Sequence, residues 1–488
     1  MAKETDAKIT VSKETDFSEW FTQLMKKGEL ADIRFNIKGF PVYMPWATQS
    51  IRKITRLWEE TLEKKGHEPV IMPTLIPESN FHKEADHIEG FSPDVFWVTH
   101  GGEKEFEEKY ALRPTSETVF YDMFKYWITS HNDLPFKRYQ SANVFRYESK
   151  MTRPFMRTRE LHWIETHCAF ATKEDAMNQV KEDMQITHDL LYKVMALPHI
   201  FFQRPQWDKF PGAYNTFAAD VLLPSGKVLQ LPSTHLIDQK FTKAFDITFV
   251  DKDETTKTPF TTCYGPCHSR NYGALITFHG DDKGLVLPFD IAPKQIVIIP
   301  LFFKGKEEGV KEKAQHILNV VQEQGFSALL DDRTEVTPGR KFNEWEMKGV
   351  PIRIEIGPRD IEQEAVSLFR RDTGTKEIVA LKSLIGTLKD IKNTFTNNLI
   401  EKANLAIKEK TINAETKEDI AKYLQEGYMV RTCIESIDLD WEPHAIVVEK
   451  ELGGEVRGVA FLKNEPVFCK DPLTGNDAKY VVYIAKSH

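Results

Sequence analysis

The feature that most restricts how this chain can fold is a change of pattern at residues 291–303, IAPKQIVIIPLFF. The stretch Ile296–Ile299 is apolar without alternation, which is expected of a strand buried on both faces. A helical pattern follows (residues 309–325), then strands at 326–332, 349–360 and 364–374. That β-α-β order predicts a compact α/β domain of about 100 residues. Upstream the order differs. Phe17, Trp20, Phe21 and Leu24 repeat at helical spacing, and residues 51–66 give a second amphipathic helix closing at Gly66. Residues 67–77, HEPVIMPTLIP, read as a short buried strand ended by prolines. Residues 143–150 and 155–170 read as two strands joined by a loop, 175–195 as a long helix, and 215–231 as a hairpin turning at Pro224, Ser225 and Gly226. Residues 272–288, YGALITFHGDDKGLVLP, read as a strand, an acidic loop and a second short strand. Antiparallel strands among helices predict an α+β domain ending near Pro288. From about Ser383 a polar helical stretch runs to about Glu426, and a β-rich piece continues to His488.

At 488 residues the chain is too long for one ordinary core, so two or three domains are expected. No apolar run approaches the roughly 20 residues that span a bilayer. The first sixteen residues are polar, so a cytoplasmic protein with no membrane partner is expected. Five cysteines are too few and scattered for a disulfide framework. The close pair Cys263 and Cys267, beside His268, reads as two reduced thiols. A net charge of -8 argues against an indiscriminate polyanion binder and leaves room for local basic patches.

One such patch is residues 143–161, NVFRYESKMTRPFMRTREL. Arg146, Lys150, Arg153, Arg157 and Arg159 stand there against only Glu148 and Glu160, interleaved with Phe145, Tyr147, Phe155 and Met156. Strand alternation puts Arg146 and Glu148 on one face, and Arg157, Arg159, Leu161, Trp163 and Glu165 on one face of the returning strand. If both faces line one cleft, it grades from cationic through aromatic to anionic. That order suits a ligand with phosphates at one end and an ammonium at the other, because guanidinium groups hold phosphate oxygens by charge-assisted hydrogen bonds. A merely solvated basic face is equally compatible with the hairpin alone.

Taken together, these residues resemble the signature motifs of class II aminoacyl-tRNA synthetases. FRYE with RTREL resembles the second motif, SRNYGALITFHGDDKGLVLP the third with Arg270, and PVIMPTLIP the first, with Pro73 at a dimer interface. LRPTSET, WDKFPG, GDDKGLVLP and EWEMKGVPIRIEIGPRD resemble the prolyl-tRNA synthetase family, in its archaeal and eukaryotic-like form, along nearly the whole chain. The resemblance implies an α+β catalytic domain with an antiparallel sheet (the class II synthetase fold, residues 1–290). It also implies an α/β anticodon-binding domain (291–395) and an α+β C-terminal extension (396–488). The implied reaction attaches L-proline to tRNA(Pro) in two steps. Proline's carboxylate attacks the α-phosphate of ATP, releasing pyrophosphate, and the prolyl group then passes to the tRNA 3′ end. Neither step needs a protein nucleophile, so positioning and charge stabilisation carry the catalysis, with Mg2+ on the phosphates.

By the same resemblance, Arg146, Glu148 and Arg270 are the catalytic residues: Arg146 on the α-phosphate and substrate carboxylate, Glu148 on the adenine amino group, Arg270 on adenine or the γ-phosphate. Arg157, Arg159, Gln230 and Ser233 complete the ATP site. Thr115, Ser116, Glu117 and Glu165 take the proline ammonium end with Arg146, His167 and His235, and Trp163 and Phe210 wall the ring. Glu346 and Arg353 are candidates for reading the anticodon. A homodimer is implied.

The chain also departs from the family. Leu231 and Pro232 stand where a small pair is usual, and Leu161 where phenylalanine is common. The loop 263–270 is one residue longer. Of four tail cysteines that hold zinc in relatives, only Cys433 and Cys469 match, with Asp438 at a lost position, so no metal is expected. Glu148 and Arg270 are only about 120 residues apart, which leaves no room for an inserted editing domain. Two rival readings are a catalytically silent, synthetase-like RNA-binding protein and a synthetase for threonine or glycine.

Overall fold

The computed structural model describes residues 8–85, 94–149, 151–302 and 307–488. Its centre is an eleven-stranded sheet. The order begins Glu68–Pro69, Phe136–Phe145, Glu160–Phe170, Phe260–Gly265, Lys227–Asp238, Asn215–Leu222 and Ile200–Gln203. These pair antiparallel, except that Glu68–Pro69 runs parallel to its neighbour. The last four strands, Glu455–Ala460, Tyr480–Ser487, Met429–Ile434 and Thr411–Asn413, come from the C-terminal piece. They extend the same sheet, since Val459 and Ala460 pair with Gln203 and Phe202.

Period-two alternation sorts the sheet's two faces. Ile164, Cys168 and Phe170 pack in a core with Trp20 and Phe21 of the helix Phe17–Lys27, Ile54 and Trp58 of Pro45–Lys64, Val180 and Met184 of Lys173–Thr187, and Tyr272 and Leu275 of His268–His279. Leu161, Trp163 and Glu165 turn to the opposite face, where a cleft lies. Polar ties hold the helices in place: Trp58 Nε1 donates to the Tyr264 hydroxyl at 2.9 Å, which also meets Thr187 Oγ1 at 2.8 Å.

Asp183 is fully buried between helix and sheet, accepting from Thr234 Oγ1 at 2.7 Å and Gln179 Nε2 at 2.8 Å. Burial outweighs these bonds and pushes its carboxyl up to about 7. A carboxyl raised on folding binds more protons folded than unfolded between its two pKa values, so its contribution falls as pH rises through that window. Asp183→Asn is therefore expected to raise the melting temperature relative to the parent more at pH 8 than at pH 5. An equal change at both, in paired scans, would count against it.

Two local readings are corrected. Residues 272–288 are not a strand pair: Arg270 and its successors lie on the helix His268–His279, followed by a turn in which Asp281 and Gly284 pair. Every residue from Asn271 to Phe278 is buried, so the helix shows no polar stripe, and periodicity cannot tell such a run from a strand. Residues 67–77 are not one buried strand. Glu68–Pro69 is an exposed sheet edge, Ile71 is 99% exposed, and Leu75–Pro77 joins a separate three-stranded sheet through Lys104–Leu112.

The α/β reading of the second unit holds. Ala328–Leu330, Ile296–Pro300 and Ile352–Ile356 are parallel, and Ala365–Arg370 and Lys376–Ala380 add antiparallel strands. Ala314, Ile317 and Val321 of the helix Glu307–Glu323 cover it. The helix Leu384–Glu409 packs Leu388, Phe395 and Leu399 into this core and Ala403 into that of the large sheet. The expected helical stretch to Glu426 is interrupted, because Thr411–Asn413 pairs parallel with Met429–Arg431 at the sheet edge. Thr416 then caps the helix Lys417–Gln425 by accepting from the Asp419 N–H. Residues 151–269 hold the returning strand of the hairpin, the helix Lys173–Thr187, four further strands of the large sheet and a separate strand pair, Phe249–Val250 with Thr256–Lys257. No described helix is long and apolar enough to cross a membrane.

Candidate active site

The basic segment is more tightly folded than a strand pair with a loose loop. Arg146, Glu148, Arg157 and Arg159 lie outside both strands, which end at Phe145 and begin at Glu160, so the expected face-sharing by alternation does not apply to them. The Arg146 N–H donates to the Arg159 carbonyl at 2.9 Å, and Arg153 and Arg157 exchange backbone bonds at 2.8 and 2.9 Å to close the turn. Phe155, at φ +63, is buried and stacks on Tyr43 at 4.5 Å. Lys150 lies outside the described residues.

The arginines then divide. Arg159 Nε and Nη2 donate to the Glu148 carbonyl at 3.1 and 3.0 Å, with the guanidinium over the Tyr147 ring at 4.3 Å, so Arg159 braces the loop and does not line the cleft. Arg157 Nη2 donates to the His488 carbonyl at 2.9 Å, and its Nε lies 3.8 Å from Glu148 Oε2. Arg146 Nε donates to the Pro114 carbonyl at 3.2 Å, beside the face of Trp163, whose centroid is 5.0 Å away. Arg270 Nε donates to the Met156 carbonyl at 3.2 Å. Both are tethered through Nε and line one cleft of about 230 Å³. Arg146 keeps an exposed side; desolvation by the protein crowded around its guanidinium, and then the Arg270 cation, lower its pKa from the ordinary value, but an arginine remains a cation at physiological pH.

The far end of this cleft is acidic, with Thr115, Glu117 and Glu165 lining it. Glu165 is 1% exposed and well satisfied. Ser116 Oγ and Gln140 Nε2 donate to Oε1 at 2.5 and 2.8 Å, and the Ser116 N–H donates to Oε2 at 3.1 Å. His167 Nε2 lies 3.3 Å from Oε2. Burial alone would raise the Glu165 pKa; the bonds from His167, Ser116 and Gln140 overcome it and lower it. Glu117, 2% exposed, receives only neutral donors: Thr115 Oγ1 at 2.5 Å and Cys263 Sγ at 3.1 Å. Among the described residues it has no ion pair within 4 Å. A buried carboxylate without a cation is costly, and this one faces a cleft. Phe210, Trp163 and Leu161 form apolar walls between the two ends.

Gln230 and Ser233 line the cleft as expected, while Ser116 and His167 sit behind its surface. His235 bridges Thr216 Oγ1 and Ser233 Oγ at 2.9 and 3.0 Å. Burial, with Arg204 and His167 nearby, pushes its pKa down to about 3, so it stays neutral and orients Ser233. Glu148 lies in an adjoining lobe of about 350 Å³ that meets the cleft at Thr115, Arg146 and Phe210. The bulky Leu231 and Pro232 are buried, with Leu231 on the cleft wall.

Sequence reasoning missed Arg204. It is 1% exposed and lines the cleft. Nη1 and Nη2 donate to Asp220 at 2.9 and 2.7 Å, and Nη2 also to Gln230 Oε1 at 3.0 Å. Arg457 of the C-terminal piece donates to the same Asp220 at 2.8 Å. The signal available was Asp220 itself, one charge inside the apolar strand Asn215–Leu222.

In the second unit Arg353 is 7% exposed, held between Phe342 and Phe369 with centroids at 4.1 and 4.3 Å. Its Nε and Nη1 donate to Glu355 at 3.0 Å and Glu346 at 3.3 Å. In the tail, the N–H groups of Phe468 and Cys469 donate to Cys433 Sγ at 3.4 and 3.3 Å. Among the described residues no third His, Cys, Asp or Glu ligand joins these thiols.

Comparison with known proteins agrees with this geometry. Residues 96–278 match the tRNA synthetase class II core domain (G, H, P, S and T), and residues 295–391 match an anticodon binding domain. The chain is 46% identical over 488 residues to a proline--tRNA ligase of Thermofilum pendens, covering 98% of this chain and 99% of that one. It is 39% identical to a proline--tRNA ligase of Pyrococcus abyssi, covering 97% and 98%. Among solved structures, Giardia lamblia prolyl-tRNA synthetase in complex with prolyl-adenylate superposes with a TM-score of 0.94 at 34% identity, over 99% of this chain and 100% of that one. Prolyl-tRNA synthetase from Cryptosporidium parvum, complexed with halofuginone and AMPPNP, gives 0.92 at 31%, with the same coverage. With identity running through both units and paired arginines facing an uncompensated carboxylate across one cleft, this chain belongs to the prolyl-tRNA synthetases, class II ligases that join proline to tRNA(Pro) through a prolyl-adenylate.

Proposed function

We propose that the cleft binds proline with its ring between Trp163 and Phe210 and its ammonium at Glu117. The observation that carries this reading is the buried Glu117 carboxylate, which among the described residues has neutral donors and no ion pair within 4 Å. Thr115 Oγ1 orients one of its oxygens. Glu165, held by Ser116, Gln140 and His167, adds negative potential from behind. ATP enters from the arginine end. Arg146 holds the α-phosphate and the attacking carboxylate together, so that two anions meet on one preorganised cation. Arg270 takes the outer phosphate or adenine, Glu148 the adenine amino group from the adjoining lobe, and Gln230 and Ser233 the remaining polar edges. Arg157 approaches the outer phosphates, while Arg159 acts by bracing the loop. Mg2+ would offset the charge of the phosphates, and Asp208 on the cleft wall is the oxygen donor that would meet it.

ATP–pyrophosphate exchange with proline tests this reading. A hydrogen bond to a charged group contributes about 1.5–3 kcal/mol. Glu117→Gln is therefore expected to lower kcat/KM for proline by about 10- to 100-fold, mainly through KM, with KM for ATP little changed. An unchanged KM for proline would overturn the ammonium assignment.

We assign residues 1–290, 291–395 and 396–488 to catalysis, anticodon binding and the C-terminal extension of a cytoplasmic enzyme. Glu346 presents its carboxylate to anticodon bases, and Arg353 fixes that carboxylate from beneath. A second copy of the chain covers the exposed Ile71 and Leu75 across a two-fold axis. Ile71→Asp is expected to shift sedimentation towards the monomer at micromolar concentration; an unchanged profile would argue that this edge is not the interface.

A further inference from the structure

Glu117, His167 and Cys263 each offer one ligand atom, and these atoms lie within 4.8 Å of one another. All three residues are buried, with His167 at 0% exposure, Glu117 at 2% and Cys263 at 5%. They come from three separate places in the chain: the start of the helix Glu117–Trp127 and the adjacent strands Glu160–Phe170 and Phe260–Gly265, where Cys263 pairs directly with His167. The sheet register therefore fixes the imidazole and the thiol side by side, and the helix start supplies the carboxylate.

Two further observations point to a ligand. Cys263 Sγ lies 3.1 Å from Glu117 Oε1, so an opening of a few tenths of an ångström brings the pair to the roughly 3.5 Å that oxygen and sulfur ligands keep around a tetrahedral ion with bonds of about 2.0 and 2.3 Å. Among the described residues His167 Nδ1 is buried with no hydrogen-bond partner. The ring itself is held rigidly, stacked on Phe120 at 4.2 Å. Thiolate, imidazole and carboxylate form a donor set for Zn2+ or Co2+, not for Mg2+, and three protein ligands leave a tetrahedral ion one open position.

We propose that Glu117, His167 and Cys263 form a site for a thiophilic divalent cation such as Zn2+ in the floor of the amino-acid pocket, and that the cation and proline exclude each other. The exclusion rests on the reading of Glu117 as the ammonium partner: one carboxylate cannot serve an ammonium and a metal ion at once. Binding exchanges the Cys263 S–H bond for a sulfur–metal bond and releases the proton to solvent, with no change of oxidation state. Burial, and then the nearby Glu117 carboxylate, push the thiol pKa well up. The free pocket accordingly keeps a neutral thiol beside its carboxylate.

The test is titration of the purified, chelator-treated protein with Co2+, read as the thiolate-to-cobalt charge-transfer band and the visible bands of tetrahedral Co2+. The band is expected in the parent protein and in Cys433→Ser/Cys469→Ser, and absent in Cys263→Ser. No band in the parent, or a band that persists in Cys263→Ser and vanishes in the tail variant, overturns the site. If Cys263→Ser does not fold, Glu117→Gln serves instead, and an undiminished Co2+ affinity there overturns the site equally. Saturating proline is expected to raise the apparent Kd for Co2+ at least tenfold. A cobalt band that resists proline overturns the exclusion while leaving the metal site standing. An unchanged KM for proline in Glu117→Gln identifies the substrate reading as what failed.

Discussion

Arg146→Ala is expected to lower proline-dependent ATP–pyrophosphate exchange by about 10²–10³-fold, which is about 2.7–4 kcal/mol of transition-state stabilisation. Adenylate formation brings a carboxylate against a phosphate, and charge builds on the phosphoryl oxygens as the bond to pyrophosphate breaks. Arg146 meets that charge from a fixed position. Its Nε is tied to the Pro114 carbonyl, its plane lies beside Trp163, and its backbone N–H extends the hairpin ladder to Arg159. None of these contacts holds a helix or strand together, so the folded state should survive the substitution, and circular dichroism and the melting temperature should stay near the parent's. Arg146→Lys is expected to recover little, because a point charge cannot reproduce a planar fork tethered through Nε. Near-normal exchange by folded Arg146→Ala would remove Arg146 from the reacting centre. Arg159→Ala provides a contrast: that guanidinium braces the Glu148 carbonyl and Tyr147, so its loss should act through loop order and be smaller.

Asp220→Ala is expected to destabilise the protein by about 3–5 kcal/mol, the usual result of removing one partner from a buried ion pair. Asp220 is 3% exposed and receives both terminal nitrogens of Arg204 and Nε of Arg457. Alanine would leave two guanidinium groups buried together, with only the more exposed carboxylates of Asp208, 3.7 Å from Arg204 Nε, and Glu455, 2.8 Å from Arg457 Nη1, to offset them. The two arginines also outweigh burial and hold the Asp220 carboxyl below its ordinary range. The linkage follows from the sign of that shift. A depressed carboxylate contributes stability above its unfolded pKa, near 3.9, and loses it as pH falls through the folded value. The gap between parent and Asp220→Ala should therefore be full at pH 7 and shrink in strong acid. Because Arg204 also donates to Gln230 at 3.0 Å, the substitution should raise KM for ATP in protein that remains folded. A melting temperature within one degree or so of the parent's would show that the two arginines find other partners.

Arg204 and Arg457 also show where sequence reading stopped. Arg204 meets Asp220 through the paired strands Ile200–Gln203 and Asn215–Leu222, but Arg457 joins them only when the strand Glu455–Ala460 pairs beside Ile200–Gln203, some 250 residues away in the chain. No local pattern encodes a pairing of that range. The same holds for Glu117, whose position was legible in TSE, whereas the thiol and imidazole beside it were brought there by sheet register.

Local order alone determined a good deal. The apolar run at Ile296–Pro300, the hairpin at Asn215–Asp238, and the helices Phe17–Lys27 and Lys173–Thr187 follow from periodicity, because each presents one face to a core and its neighbours in sequence suffice to define that face. The motifs around Arg146, Arg270 and Thr115–Glu117 determined the family. Tertiary structure decided the rest. Burial on all sides made residues 268–279 a helix, although nothing in their pattern separates helix from strand. The closed turn between Arg153 and Arg157 sent Arg146 into the cleft and Arg159 back onto its own loop, though alternate spacing treats the two alike. Sequence sets which faces are apolar and which residues carry charge; where a charge points is settled by the carbonyls and rings that packing brings within about 3–5 Å of it.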